Sequence, residues 1–311
     1  MARHSSDNRP ILVTGAAGDI GAIGRHLTAL LLAKGHKVRA LVRREDERAE
    51  ALRQLGAEVV QGDLTSLTDM HRVIQGVKSI YFSMSVTANY LEASVNVSAV
   101  ARHHGVDAFV NMSQMSVSSM SITKSSTSPQ HRLHWLAEQT LEWSGLPVVN
   151  VRPTAFMEGF FERLSAAGVQ ASDELILPLG ASKTSPISAV DVAKAVAVIL
   201  DDPAPHIGKI YELTGPESAD LEHYARAFSE ALGRTIRYRD VPVQAWADNL
   251  RGLGVPEHLV SHLAVLADWH RLGRFDRMTD DYFKLTGEKP MSMVDFVKLN
   301  APKFTRNEAA A

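Results

Sequence analysis

Gly15, Gly18, Gly21 and Gly24 recur every three residues just after the apolar run Ile11, Leu12, Val13. That β-rich run reads as a buried strand, and Leu27, Leu30 and Leu31 then recur at helical spacing. A strand, a glycine turn and a helix in this order present unpaired N–H groups and the positive end of a helix dipole to an anion. Glycine suits such a turn because it takes positive φ and carries no Cβ to keep a ligand away. The arrangement fits the pyrophosphate of a dinucleotide, with Gly15, Ala17, Gly18, Asp19, Ile20, Gly21 and Gly24 as contacts; a plain tight turn is the bland alternative. Arg43 and Arg44 stand about twenty residues further on, at the end of an alternating run over residues 37–42. An acidic residue there would bond a ribose 2′-OH, whereas the planar fork of arginine suits a 2′-phosphate. The expectation is NADP(H) in preference to NAD(H), with Arg43 the nearer contact. Two solvated charges opening the next helix are the competing reading.

A second group of residues lies at the ends of later strands. Asp63 and Leu64 follow the third apolar run, and Asp63 suits either a helix cap or the side of an adenine. Met84 and Ser85 follow the fourth, Asn111 closes the fifth, and Thr154 follows the sixth. Open parallel sheets bind ligands at this carboxyl edge. The stretch 111–129 is dense in serine and methionine, and reads equally as an adaptable wall over the ligand or as a surface loop. In the helix at 130–144, His131, His134 and Glu138 share one face at i, i+3 and i+7. An imidazole at His134 that titrates near neutral pH could hand a proton to a reduced substrate; a structural histidine is the alternative. A metal site from these three lacks a further ligand set, and no Gly-x-Ser-x-Gly elbow supports a serine hydrolase.

The elements that must position these groups are short strands alternating with amphipathic helices. This pattern predicts an α/β fold, a doubly wound parallel sheet, over residues 1–155 with further segments within 185–215. Residues 156–184 and 216–311 are expected to form a smaller, mainly helical lobe on the substrate side. There, short strands are predicted at 175–177 and 235–241, and helices from 243 to 300 break near Pro256 and Gly273. Phe160, Phe161, Trp246, Trp269, Tyr282 and Phe283 read equally as pocket wall or core.

Several blocks together resemble the NmrA-like branch of the short-chain dehydrogenase/reductase superfamily. They are VTGAAG at 13–18, HKVRALVRR at 36–44, GDL at 62–64, SGLP with VRPTAF at 144–156, SPISAVDVA at 185–193 and YELTGP at 211–216. The resemblance implies a Rossmann domain binding NAD(P)(H). Gly15, Gly18 and either Gly21 or Gly24 would meet the pyrophosphate, Arg43 the 2′-phosphate, Asp63 the adenine, and Met84 and Asn111 the middle of the cofactor. Ser113 falls near the position of the superfamily's active-site serine. The superfamily's Tyr-x-x-x-Lys is missing: its slots hold Gln130 and His134, and no tyrosine occurs between Tyr90 and Tyr211. Some members of the family are azo-dye, quinone or arylmethane reductases, and others are cofactor-sensing regulators without chemistry of their own.

Composition narrows the rest. The 311 residues are 45% hydrophobic with a formal charge of −2, which gives no reason to expect nucleic acid or an anionic membrane as partner. There is no cysteine, so disulfides, thiolate metal sites and cysteine nucleophiles are excluded; a cytoplasmic location fits. No apolar run approaches the roughly 20 residues of a membrane span. Two functions follow as expectations. One is an NADPH-dependent reductase that passes hydride to a small quinone, azo compound, enone or ketone, with His134 and Ser113 nearest the chemistry. The other is a redox sensor that binds NADP(H) and docks a protein partner. Homo-oligomerisation stays open.

Overall fold

A computed structural model describes residues 8–18 and 22–306. Its main sheet comprises β1 (Ile11–Val13), β2 (Val38–Val42), β3 (Glu58–Gln61), β4 (Ser79–Phe82), β5 (Ala108–Met112), β6 (Val148–Pro153) and β8 (Ile210–Leu213). Between β6 and β8, β7 (Glu174–Leu177) leaves the main sheet and pairs in parallel with β9 (Arg237–Asp240). The main sheet is parallel throughout, in the order β3-β2-β1-β4-β5-β6-β8. The central strands β1, β4 and β5 are buried throughout because helices cover both faces, which is why they read as near-continuous apolar runs. The order reverses between β1 and β4, and such a switch point opens a crevice at the carboxyl edge.

The helices are α1 (Ile23–Ala33), α2 (Glu47–Gln54), α3 (Leu67–Ile74), α4 (Tyr90–His104), α5 (Pro129–Trp143), α6 (Ala166–Ser172) and α7 (Ala189–Asp201). Then follow α8 (Leu221–Leu232), α9 (Val243–Gly252), α10 (Glu257–Arg271), α11 (Asp281–Thr286) and α12 (Met293–Leu299). Leu27 and Leu31 of α1 are fully buried in the core that also holds Val192 and Val196 of α7. Each such leucine contributes about 1.5–3 kcal/mol by leaving water. On the other face, α3, α4 and α5 enclose Met70, Val97 and Leu141 with Phe82 and Phe109.

A further core joins Phe160 and Phe161 to Tyr224, Phe228, Phe296 and Phe304. Both phenylalanines at 160 and 161 are therefore packed residues rather than pocket wall. Trp246 packs in a small satellite cluster with Leu250 and Val260, and Phe283 faces solvent. Tyr282 belongs to the main core instead: its hydroxyl donates to Asp191 of α7 at 3.0 Å, and the N–H of Met291 donates to the same carboxylate at 2.7 Å. One buried carboxylate thus fixes the chain's final stretch to the main sheet's helix layer. The two short strands expected in the later chain are present and pair with each other, in a register from Glu174 with Arg237 to Leu177 with Asp240 that spans some sixty residues.

Candidate functional site

The crevice begins with the end of β1. The Ser83 N–H donates to Thr14 Oγ1, and the Thr14 hydroxyl donates to the Ser83 carbonyl, both at 2.8 Å. This reciprocal pair locks β1 to β4 where the strand order reverses. Gly15 follows with φ +65°, a backbone state that costs a side chain about 1 kcal/mol or more. A Cβ on Gly24 would lie 2.7 Å from both the Ala16 Cα and the Gly15 carbonyl oxygen. The first turn of α1 therefore rests directly on the glycine turn, the close packing that a third glycine provides in such loops. Ala17 and Gly18 are half-buried beside it, while Asp19, Ile20 and Gly21 lie outside the described residues. Gly24→Ala is expected to cost about 1–3 kcal/mol, since only backbone surrounds the added methyl; urea unfolding of the two proteins measures it.

The far end of the crevice is a groove of about 310 Å³ lined by Arg43, Gln61, Gly62, Asp63, Asp69 and Arg72. Arg43 is exposed and its Nη2 lies 3.9 Å from an Asp63 carboxylate oxygen. Asp63 caps its own turn, accepting from the N–H and hydroxyl of Thr65; these bonds, with Arg43 nearby, hold its carboxyl below the usual range. Capping and ligand-facing readings of Asp63 thus coexist. Leu64 beside it is half-buried and packs on the α3–α4 core. Arg44 is exposed and does not line the groove. Two arginines escaped the sequence reading. Arg72 donates to the Gln61 carbonyl and to Asp69, which keeps its guanidinium in the groove wall. Arg48 reaches the Ala17 carbonyl at 3.1 Å, joining the first turn of α2 to the glycine turn. The i, i+3 spacing of Asp69 and Arg72 was the available signal for the former.

The middle of the crevice is more polar than its surroundings require. Ten buried side-chain polar atoms among the described residues lack a partner, and seven of them belong to Asn111, Ser113, Gln114, Ser116, Gln130, His131 and His134. Such atoms are rare in folded proteins because each costs about 1–3 kcal/mol. Here they gather at the end of β5, on the short turn Met115–Ser119, and on the first turns of α5. Asn111 donates to Asn150 at 2.8 Å but its carbonyl oxygen is free. Met115, Ser116 and Val117 are buried, whereas Ile122 is almost fully exposed. The first part of the serine- and methionine-rich stretch is therefore built wall, and its tip is surface. Met84 is half-buried and Ser85 exposed beyond β4. Thr154 is buried and its hydroxyl donates to the Ser185 carbonyl at 2.6 Å, so that group ties the end of β6 to the segment before α7.

Ser128 caps α5 by accepting the His131 N–H, and Pro129 pre-sets the first turn. Above this start sits α10. His258 bonds Gln130, His262 bonds Ser128, and Trp269 lies 4.6 Å from the His131 ring. His131 Nδ1 is held by Ser126 at 2.8 Å. His134 makes no hydrogen bond among the described residues; its ring packs 4.1 Å from that of Tyr90. Tyr90 in turn donates to the Met112 carbonyl at 3.2 Å, beside Ser113. Burial pushes both His131 and His134 down to about 3, helped by neighbouring imidazoles. The expectation that His134 titrates near neutral pH is not met: at pH 7 its imidazole is neutral, able to share a hydrogen bond but not to act as a charged acid. Glu138 does not join the histidines. Its carboxylate accepts two bonds from Arg152, at 3.0 and 2.5 Å, which removes the metal reading for this face.

Comparison with known proteins places this geometry in a family. The NmrA-like family profile matches residues 7–296. The chain belongs to the NmrA-like family. An NAD(P)H azoreductase of Xenophilus azovorans is 27% identical over 296 residues, covering 94% of this chain and 99% of the relative. An NADPH-dependent quinone oxidoreductase of Escherichia coli, solved with NADPH, superposes with a TM-score of 0.80 at 24% identity, over 94% of this chain and 99% of that one. NmrA, a negative transcriptional regulator solved with NAD, superposes with a TM-score of 0.79 at 19% identity, over 96% of each chain. The two superpositions carry the fold, a Rossmann-type sheet common to a quinone oxidoreductase and a transcriptional regulator. Among the described residues no helix is long and apolar enough to cross a membrane.

Proposed function

We propose that the protein is an NADPH-dependent reductase of small conjugated or aromatic acceptors: quinones, azo compounds, enones or ketones. The observation that carries this reading is the group of unpartnered polar atoms around β5 and the start of α5. They lie on the side where the nicotinamide end of a dinucleotide would lie if its pyrophosphate rested on Gly15 and Gly18, and a ligand seated there would give them partners, while Gly24 serves the packing of α1. The azoreductase relative supports the reaction class. The residues present fit the cofactor: Gly15 and Gly18 carry no Cβ to hold a ligand away from the turn's backbone, and the Arg43 groove is large enough to hold a phosphorylated ribose. When bound, NADPH supplies the hydride. The chain holds and excludes: residues 1–155 with segments of 185–215 carry the cofactor side, and 156–184 with 216–311 close the acceptor side through α10.

Ser113 and neutral His134 would orient the acceptor by hydrogen bonding, and Asn111 would fix the cofactor's amide side. A delocalised anion formed on a quinone or azo compound takes its proton from water, so no phenol acid is needed. This suits a site where Tyr90, the tyrosine that packs on His134, already donates to a backbone carbonyl. NADPH oxidation against a panel of quinones, azo dyes, enones and ketones tests the reading. His134→Ala is expected to lower turnover about 10–100-fold, and His134→Gln, which keeps a donor, less. Tight NADP(H) binding with no turnover of any acceptor would favour the sensor, which the committed Tyr90 proton also suits.

Arg43 is proposed as the 2′-phosphate contact, giving preference for NADPH over NADH. Arg43→Ala should raise the Kd for NADPH about 10–100-fold and leave NADH within about twofold, read by quenching of tryptophan fluorescence. An equal effect on both cofactors would remove the phosphate contact and move it to Arg72.

A further inference from the structure

A second cluster of histidines lies outside the crevice. His71 stands in the last turn of α3, and His103 and His104 end α4. In a parallel sheet the crossover helices run against the strands, so both helix ends sit at the amino edge, opposite the glycine turn. One ring nitrogen from each of the three histidines lies within 4.8 Å of the others; it is the only such group of three among the described residues. His104 Nε2 and His71 Nδ1 are 3.2 Å apart. The ring centroids are 4.9 Å apart for His71 and His104, 5.0 Å for His103 and His104, and 5.8 Å for His71 and His103.

We propose that His71, His103 and His104 form a three-imidazole site for a divalent transition-metal ion, Zn²⁺, Ni²⁺ or Cu²⁺, that clips α3 to α4. Tetrahedral bonds of about 2.0–2.1 Å place ligand nitrogens about 3.3 Å apart, which the His71–His104 pair already matches. His71 and His103 are exposed, so a side-chain rotation brings the third nitrogen to the same spacing without moving backbone. Three neutral nitrogens with no carboxylate select borderline metals and reject Mg²⁺ and Ca²⁺. The negative ends of two helix dipoles converge on the site and favour a cation. The nearest arginine of α3, Arg72, is turned away onto the Gln61 carbonyl and Asp69, so it does not oppose an ion there. Water would complete the coordination, leaving the ion exchangeable.

The test is calorimetric titration of the full, untagged chain with Zn²⁺, Ni²⁺ and Mg²⁺, with thermal unfolding alongside. One Zn²⁺ or Ni²⁺ per chain is expected to bind at micromolar concentration and to raise Tm by a few degrees, with no response to Mg²⁺. His71→Ala and His103→Ala should each weaken Zn²⁺ binding at least tenfold while circular dichroism stays unchanged. With Cu²⁺, electron paramagnetic resonance should show coupling to imidazole nitrogens, lost in both variants. Absence of binding, or binding unchanged in the two variants, would overturn the site. NADPH oxidation is no part of the readout, so the result stands apart from the reductase reading.

Discussion

Arg152→Ala is expected to destabilise the protein by about 3–5 kcal/mol, among the largest losses available to one substitution. Arg152 lies in β6 and grips Glu138 of α5 through two bonds. The Glu138 side chain is only 4% exposed and that of Arg152 only 14%. Without the guanidinium, Glu138 would be a buried charge with no counter-ion, and the penalty is its desolvation rather than the lost contact alone. Nor would the damage stop there. Arg152 also faces Glu212 of β8 at 3.9 Å, Glu212 holds Arg277 at 2.6 Å, and Arg277 donates to Ser118 in the Met115–Ser119 turn at 2.5 Å. This chain of charges ties α5, the sheet edge and the wall of the crevice together. Urea unfolding measures the loss. The double change Arg152→Met with Glu138→Leu should recover most of it, because a matched apolar pair leaves nothing unpaired. If the single variant loses less than about 1 kcal/mol, the pair is hydrated and its structural importance is refuted.

That pair also shows where sequence reading reaches its limit. The strands β1, β4 and β5 were legible because each is a short apolar run bounded by glycine or polar turn residues, and two-sided burial in a parallel sheet demands such runs. The glycine turn was legible because backbone conformation leaves a residue-type signature. The partner of Glu138 was not: the i, i+3, i+7 spacing correctly put it on a face with His131 and His134, but nothing local says that β6 passes beneath that face. The same holds for α10 over α5, for the β7–β9 pairing, and for Tyr282 returning to the main core. Each is a contact between distant segments, chosen by how apolar faces stack. His134 is the sharpest instance. Its residue type suggested titration near neutral pH, while its environment, Tyr90 on one side and α10 nearby, keeps it neutral. Arg72 was hidden for the opposite reason: on a helix face it looks like a solvated charge until β3 brings its carbonyl alongside.

Acidification should cost the protein stability before most of its carboxylates protonate. His131 and His134 are held at about 3 and His270 at about 4, chiefly by burial, and His262 lies well below its ordinary value. All four folded values lie below the unfolded value of 6.5, so below that pH the unfolded chain takes up protons that the folded chain refuses. The stability these groups permit is fully present above pH 6.5 and is lost as pH falls toward the folded values. By pH 5.5 each histidine costs about 1 kcal/mol, and the four together cost several, a large share of the usual 5–15 kcal/mol. Glu158 acts in the opposite sense. Burial raises its carboxyl to about 7, above the unfolded 4.5, so its contribution grows as pH falls through 7. One group cannot offset four, and the net slope is toward unfolding. The urea midpoint should therefore drop steeply from pH 7 to pH 5, and His270→Gln should flatten the drop by about a quarter. His270 stacks on Phe275 at 4.0 Å and touches neither the glycine turn nor the Arg43 groove, so a flattened profile would report its burial rather than ligand binding. A midpoint that stays level across that range would mean the histidines take up protons inside the fold.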